Sequence, residues 1–258
     1  MSTKSSVIFF VLYFLFFISG TYAQRSVSSQ IAIGGANYLD TYLSPEKYRG
    51  TEVRFISEVF RPNGSWLTTL QHEAEVSVAH NRADNANELS GGYNFTYGYM
   101  HHWQLLDGAL DVYGGGMGNV LLGFTYNMRN SANNPAQGYA SLAVGPQIMA
   151  HYRLPLKIKG RAIGINYQMR MPWLGIMFSP NYGQSYYELF SKGNYDHNIV
   201  VTSLATFQMR QQLSIDLPLS DKTSLRLGYL SDIRQAKPNN LRQHHYFNAA
   251  TIGVVIEK

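Results

Sequence analysis

The segment Asn198–Leu217, NIVVTSLATFQMRQQLSIDL, alternates with period two for about twenty residues. Ile199, Val201, Phe207, Met209, Leu213 and Ile215 fall on one face, while Thr206, Gln208, Arg210, Gln212, Ser214 and Asp216 fall on the other. Strands of soluble sheets usually run about 5–6 residues. A strand several times that length, apolar on one side and hydrophilic on the other, suits a wall with lipid outside and a polar lumen inside.

Composition points the same way. Charged residues make up 14% of the 258 residues, against about 25% in ordinary soluble domains. Aromatics also reach 14%, with 19 Tyr, yet mean hydropathy is slightly negative. Few charges, many tyrosines and middling hydropathy fit alternating strands with aromatic girdles, although a secreted β-sandwich shares this composition. The basic residues are scattered singly, so the net charge of +5 forms no patch for nucleic acid. Without cysteine there is neither a disulfide nor a thiolate metal site, and no cluster has metal-ligand spacing. No cofactor and no metal are expected.

The N-terminus has the form of a secretory signal. Lys4 precedes the unbroken apolar stretch Val7–Ile18, and Thr21-Tyr22-Ala23 offers a cleavage site. That apolar stretch is too short to span a bilayer, which needs about 20 residues. Residues 1–23 are expected to be a signal peptide and residues 24–258 the barrel, starting at Gln24.

The alternation predicts ten strands, at 27–40, 50–61, 66–80, 89–105, 109–127, 139–153, 161–178, 197–217, 223–236 and 245–257. Short connections (62–65, 106–108, 154–160 and 218–222) alternate with long ones (41–49, 81–88, 128–138, 179–196 and 237–244). Outer-membrane barrels join strands by short periplasmic turns and longer external loops. With both termini periplasmic, every short connection falls inside. The expected fold is an all-β, up-and-down antiparallel transmembrane β-barrel of about ten strands. The run Gly114, Gly115, Gly116 and Gly118 lies within a strand with no helix after it, so it is no phosphate loop.

The inward positions carry Glu52, Glu58, Glu73, Glu75, Asp111, Asp216 and Asp232 against Arg54, Arg153, Arg170, Arg210, Arg226 and Arg234. Balanced charge in a narrow lumen predicts an ion-paired filling, represented by Glu73, Glu75, Arg170 and Arg210, where a selective pore would show one dominant sign. Candidates for catalysis at the outer rim are His80, His197, Asp196, Asp232 and His245. The candidate contact surface is the longest loop, 179–196, through Tyr182, Tyr186, Tyr187 and Phe190, either as a lid or as a site for an extracellular ligand or partner.

Three stretches are distinctive: YLDTYLSPEKYRGTEVRFISE (38–58), NNPAQ (133–137) and YGQSYYELF (182–190). Together they resemble an uncharacterised family of Gram-negative outer-membrane proteins of about this length, over most of the mature chain. The resemblance implies a barrel in the outer membrane, and it supplies no activity and no catalytic residues. The expected partners are outer-membrane lipid and the barrel assembly machinery. The expected role is structural or binding, around an occluded polar lumen. A rim hydrolase, protease- or lipase-like, and a narrow channel are the alternatives.

Overall fold

The computed structural model describes residues 25–128 and 135–258. The expected signal segment 1–23 and part of the loop at 128–138 lie outside the described residues.

The strands are β1 (Ser26–Asp40), β2 (Ser44–Asn63), β3 (Trp66–Asn81), β4 (Asn87–Leu105), β5 (Leu110–Asn127), β6 (Ala136–Ile158), β7 (Arg161–Arg170), β8 (Leu174–Phe178), β9 (Ile199–Val201), β10 (Thr206–Pro218), β11 (Thr223–Ala236) and β12 (Gln243–Glu257). Two helical turns interrupt them, α1 (Tyr186–Phe190) and α2 (Thr202–Ala205). Strands β1 to β6 pair in sequence, β6 pairs both β7 and β8, β7 pairs β10, β8 pairs β9, β10 to β12 pair in sequence, and β1 pairs β12 along its whole length, all antiparallel, so the sheet closes. In the wall β7 and β8 together make one stave, as do β9 and β10, giving a closed ring of ten staves.

The alternation sets the two faces. Along β3, Leu67, Thr69, Gln71, Glu73 and Ser77 are buried in the lumen, while Trp66, Val76 and Val78 lie exposed on the outer face. On β10, Phe207 and Leu213 point outward and Arg210, Gln212 and Ser214 inward. At the short-turn end Trp66 stacks on Tyr99 at 4.7 Å, beside His101 and Trp103, where aromatic rings suit the membrane interface. The large outward apolar side chains form an exposed belt around the barrel, as a wall facing lipid requires.

Three sequence expectations need correction. The loop expected at 41–49 is a three-residue turn, because residues 44–49 continue β2, with Ser44 paired to β1 and Tyr48 and Arg49 paired to both β1 and β3. Lys47 and Arg49 are exposed there, on strands extended past the apolar outer band.

The strand expected at 161–178 is interrupted at 171–173. Pro172 has no N–H to donate, and Trp173 and Leu174 both face outward, so the face pattern shifts by one residue. Backbone packing is tight here. A Cβ on Gly145 would sit 1.9 Å from the Met171 carbonyl oxygen, so only glycine lets β6 pass this kink.

The long strand at 197–217 is also broken, by α2, whose Thr202 hydroxyl donates to the Trp173 carbonyl at 2.7 Å. The two breaks face one another. The ladder between these staves runs from Gly164↔Asp216 to Arg170↔Arg210 and resumes at Ile176↔Val201. Residues 171–175 and 202–209 form a seam that no register pair crosses.

Candidate functional site

The seven carboxylates and six guanidinium groups expected in the lumen all lie there, and each of them is in an ion pair. The middle layer is built around Arg54, whose side chain is wholly buried. It lies 2.5 Å from Glu52, 2.8 Å from Glu73, 3.4 Å from Glu75 and 2.5 Å from Asp232, with its guanidinium 4.2 Å above the Phe247 ring. Arg234 pairs with Glu75 at 2.8 Å and Asp232 at 2.7 Å, and Arg210 pairs with Glu73. Around Glu52, Tyr38 donates its hydroxyl to the carboxylate, and His245 Nε2 lies 2.7 Å away.

A second layer lies closer to the short turns. There Arg170 meets Glu58 and Gln71, and Gln168 donates to Glu58 at 3.0 Å. Gln212 donates to Gln30 at 2.7 Å. Below that, Arg226 forks onto Asp216 at 2.6 and 2.7 Å, and Asp111 holds His102 at 2.8 Å and Arg153.

Some of these contacts span the full width of the barrel. Glu73 on β3 and Arg210 on β10 are five staves apart in a ring of ten, as are Glu58 on β2 and Arg170 on β7. Arg170 and Arg210 are also direct register partners on adjacent strands. Like charges opposite one another oppose pairing, and here acids from the far wall draw each guanidinium across the lumen.

The expected lumen residues Glu73, Glu75, Arg170 and Arg210 therefore meet in two adjoining layers. The five expected rim residues do not converge. Asp232 and His245 are lumen residues of the Arg54 layer, not rim residues. The sequence gives distance along a strand, while barrel tilt and shear set depth. His80 is exposed on the outer face of β3. Asp196 and His197 contact one another on an exposed loop, apart from the other three.

Loop 179–198 caps the mouth. Ser185 opens α1 by accepting from the Glu188 N–H at 3.1 Å, and Glu188 returns to the Ser185 N–H at 2.8 Å, completing a capping box. The Ser185 N–H, and the Ser185 hydroxyl at 3.0 Å, both donate to the Glu188 carboxylate and hold that carboxyl below its ordinary value. Leu189 is fully buried beneath the helix. Tyr186 donates to Gln137 at 3.0 Å and accepts from the Gly138 N–H at 2.6 Å, while Tyr42 donates to the Gln184 carbonyl at 2.8 Å. Burial pushes the Tyr42 phenol up to about 12, and raises that of Tyr186 as well. Of the four aromatic contact candidates only Tyr186 turns into the mouth. Tyr182 is 84% exposed, and Tyr187 and Phe190 are also exposed.

Sequence reasoning missed two acids just under this lid, Asp40 and Glu88. Both lie at strand ends, Glu88 one residue outside the strand expected from 89. Its even spacing with Asn94 and Thr96 was the available signal for an inward side chain.

Solved structures of similar fold are outer-membrane barrels. The outer membrane protease OmpT from Escherichia coli superposes with a TM-score of 0.53 at 7% identity, over 93% of this chain and 99% of that one. The transport unit of the autotransporter AIDA-I from Escherichia coli gives 0.50 at 9% identity, over 98% and 96%. Such identities establish the fold alone. No curated protein matches the chain. Residues 19–258 match the model of one family over nearly the whole length, and the chain belongs to that family, described as protein of unknown function (DUF3316).

Proposed function

We propose that this protein resides in the outer membrane as a closed-lumen barrel, and that its role is structural or binding, exercised at the looped mouth rather than by conduction. The observation that supports this most directly is the contact between diametrically opposite staves, Glu73 with Arg210 and Glu58 with Arg170. Where side chains from opposite walls touch, no water column passes between them. Within the ion-paired layers seven acids face six arginines, so no single sign dominates there to select an ion. The lid over the mouth supports the same reading.

Planar bilayer recording tests it. The wild type is expected to show no steady conductance. Arg210→Ala removes one cross-lumen tie and is expected to open small, noisy currents. A large, stable wild-type conductance would overturn the proposal in favour of a channel. Location is tested by fractionation. The protein is expected in the outer membrane, with gel mobility that changes on boiling and a mature N-terminus at Gln24.

A further inference from the structure

Between the Arg54 layer and the lid lies a largely apolar chamber of about 100 Å3. Leu121, Tyr139 and Met177 line it, and the paired Glu75 and Arg234 form its floor. It is roomy enough for more than a single water, which needs roughly 10–15 Å3 measured the same way.

Two carboxylates reach this chamber without a cation. Asp40 is 4% exposed and accepts from the Tyr139 hydroxyl at 2.7 Å and the Tyr42 N–H at 3.0 Å. Glu88 is 2% exposed. Its Oε1 accepts from Asn127 Nδ2 at 3.2 Å, while its Oε2 is buried with no hydrogen-bond partner. Among the described residues no ion pair reaches either acid. Arg234 and His245, which also border the chamber, are held by Glu75 and Asp232 and by Glu52. A buried carboxylate oxygen without a donor carries an uncompensated desolvation cost. A ligand bringing a charged donor would remove that cost and gain a charge-assisted bond.

We infer that the chamber is a binding site for a small organic amine. Its ammonium group would lie against Glu88 Oε2 and Asp40, and its short apolar body against Leu121, Tyr139 and Met177. The Tyr139 ring adds a face of the kind cations favour. The site rests on the closed-lumen reading, because the ion-paired layer is its floor.

The test uses the full-length barrel in lipid nanodiscs, with phenethylamine as probe and 2-phenylethanol and 3-phenylpropionate as controls. Calorimetry is expected to show saturable one-to-one binding of phenethylamine, at least tenfold weaker binding of the alcohol, and none of the acid. Glu88→Gln keeps the bond from Asn127 and removes the charge. It is expected to weaken phenethylamine about ten- to a hundredfold, the range for one charge-assisted hydrogen bond, while mobility change on boiling is retained. Asp40→Asn takes its place if Glu88→Gln fails to assemble. Equal binding of amine and alcohol, unchanged affinity in the assembled variant, or no saturable uptake by the wild type would overturn the inference. Bilayer recording on the same preparation separates the two proposals. A silent barrel that takes up no amine loses the chamber alone, whereas a conducting one loses both the floor and the closed-lumen reading.

Discussion

Replacing Arg54 by methionine removes the group on which four carboxylates converge. The side chain is 0% exposed, so solvent cannot substitute for it. At an effective dielectric constant of about 20, contacts of this length are worth roughly 5–7 kcal/mol each of gross attraction. Most of that is offset by the several kcal/mol needed to dehydrate each ion. What remains after truncation is Glu52, Glu73, Glu75 and Asp232 facing only Arg210 and Arg234 among the arginines of that layer. Breaking a buried pair in this way typically costs about 3–5 kcal/mol, and Arg54→Met is expected to fall in that range in urea unfolding of the barrel in lipid vesicles. The sharper test is a second change. Without Arg54, Glu52 keeps only Tyr38 and His245 as partners. Glu52→Gln, added to Arg54→Met, is therefore expected to recover part of the loss, even though it destabilises the wild type. Arg161→Met at the exposed pair with Glu257 is the control, expected to cost about 0–1 kcal/mol. An Arg54→Met cost under about 1 kcal/mol, or a double variant that simply sums the two losses, would refute the convergence argument.

Phe207 is 44% exposed on the outer face, and Gln208 borders the chamber. Phe207→Arg is expected to lose roughly 2–4 kcal/mol and fold into vesicles poorly, with Gln208→Arg milder, as followed by the gel-mobility assay. Ser185→Ala removes the cap of α1 and is expected to loosen the lid by about 1 kcal/mol, seen as faster proteolytic nicking within 182–195. Because the folded-state pKa of Glu188 is depressed, its contribution is present above the ordinary glutamate range and is lost as pH falls through the folded value. Nicking of the wild-type lid is thus expected to accelerate in acid and stay flat from pH 6 upward. Deleting 183–194 removes α1 with its bonds to Gln137 and Gly138, and is expected to lower the melting temperature while assembly persists.

Most of the wall was legible because a barrel with lipid outside enforces a two-residue period that few other environments demand. Strands β3, β5 and β11 begin and end within a residue of expectation. The break at 171–173 had a signal in Pro172, which a central ladder rejects. The break at 202–205 had almost none, since Val200, Thr202, Leu204 and Thr206 continue the alternation across α2. The lumen residues were legible as a set, because parity places a charge inside. Their partners were not. That Arg210 meets Glu73 and Arg170 meets Glu58 follows from stave number and stagger, properties of the closed ring that no local window contains. The same gap put Asp232 and His245 at the wrong depth and left Asp40 and Glu88 unnoticed at strand ends.

The seam between 171–175 and 202–209 makes the cylinder mechanically uneven. Around the rest of the circumference each stave is zipped to both neighbours, and bending the wall means stretching many backbone hydrogen bonds at once. Along this one arc the two sides are joined by a threonine hydroxyl and by whatever the lumen holds across from it. Its lower boundary is the Arg170↔Arg210 pair, where two positive charges sit side by side because acids on the opposite wall pull them inward. The ion pairs of the interior thus act as guy-lines for the weakest stretch of the perimeter. Slackening them would let that arc breathe before any other part of the ring.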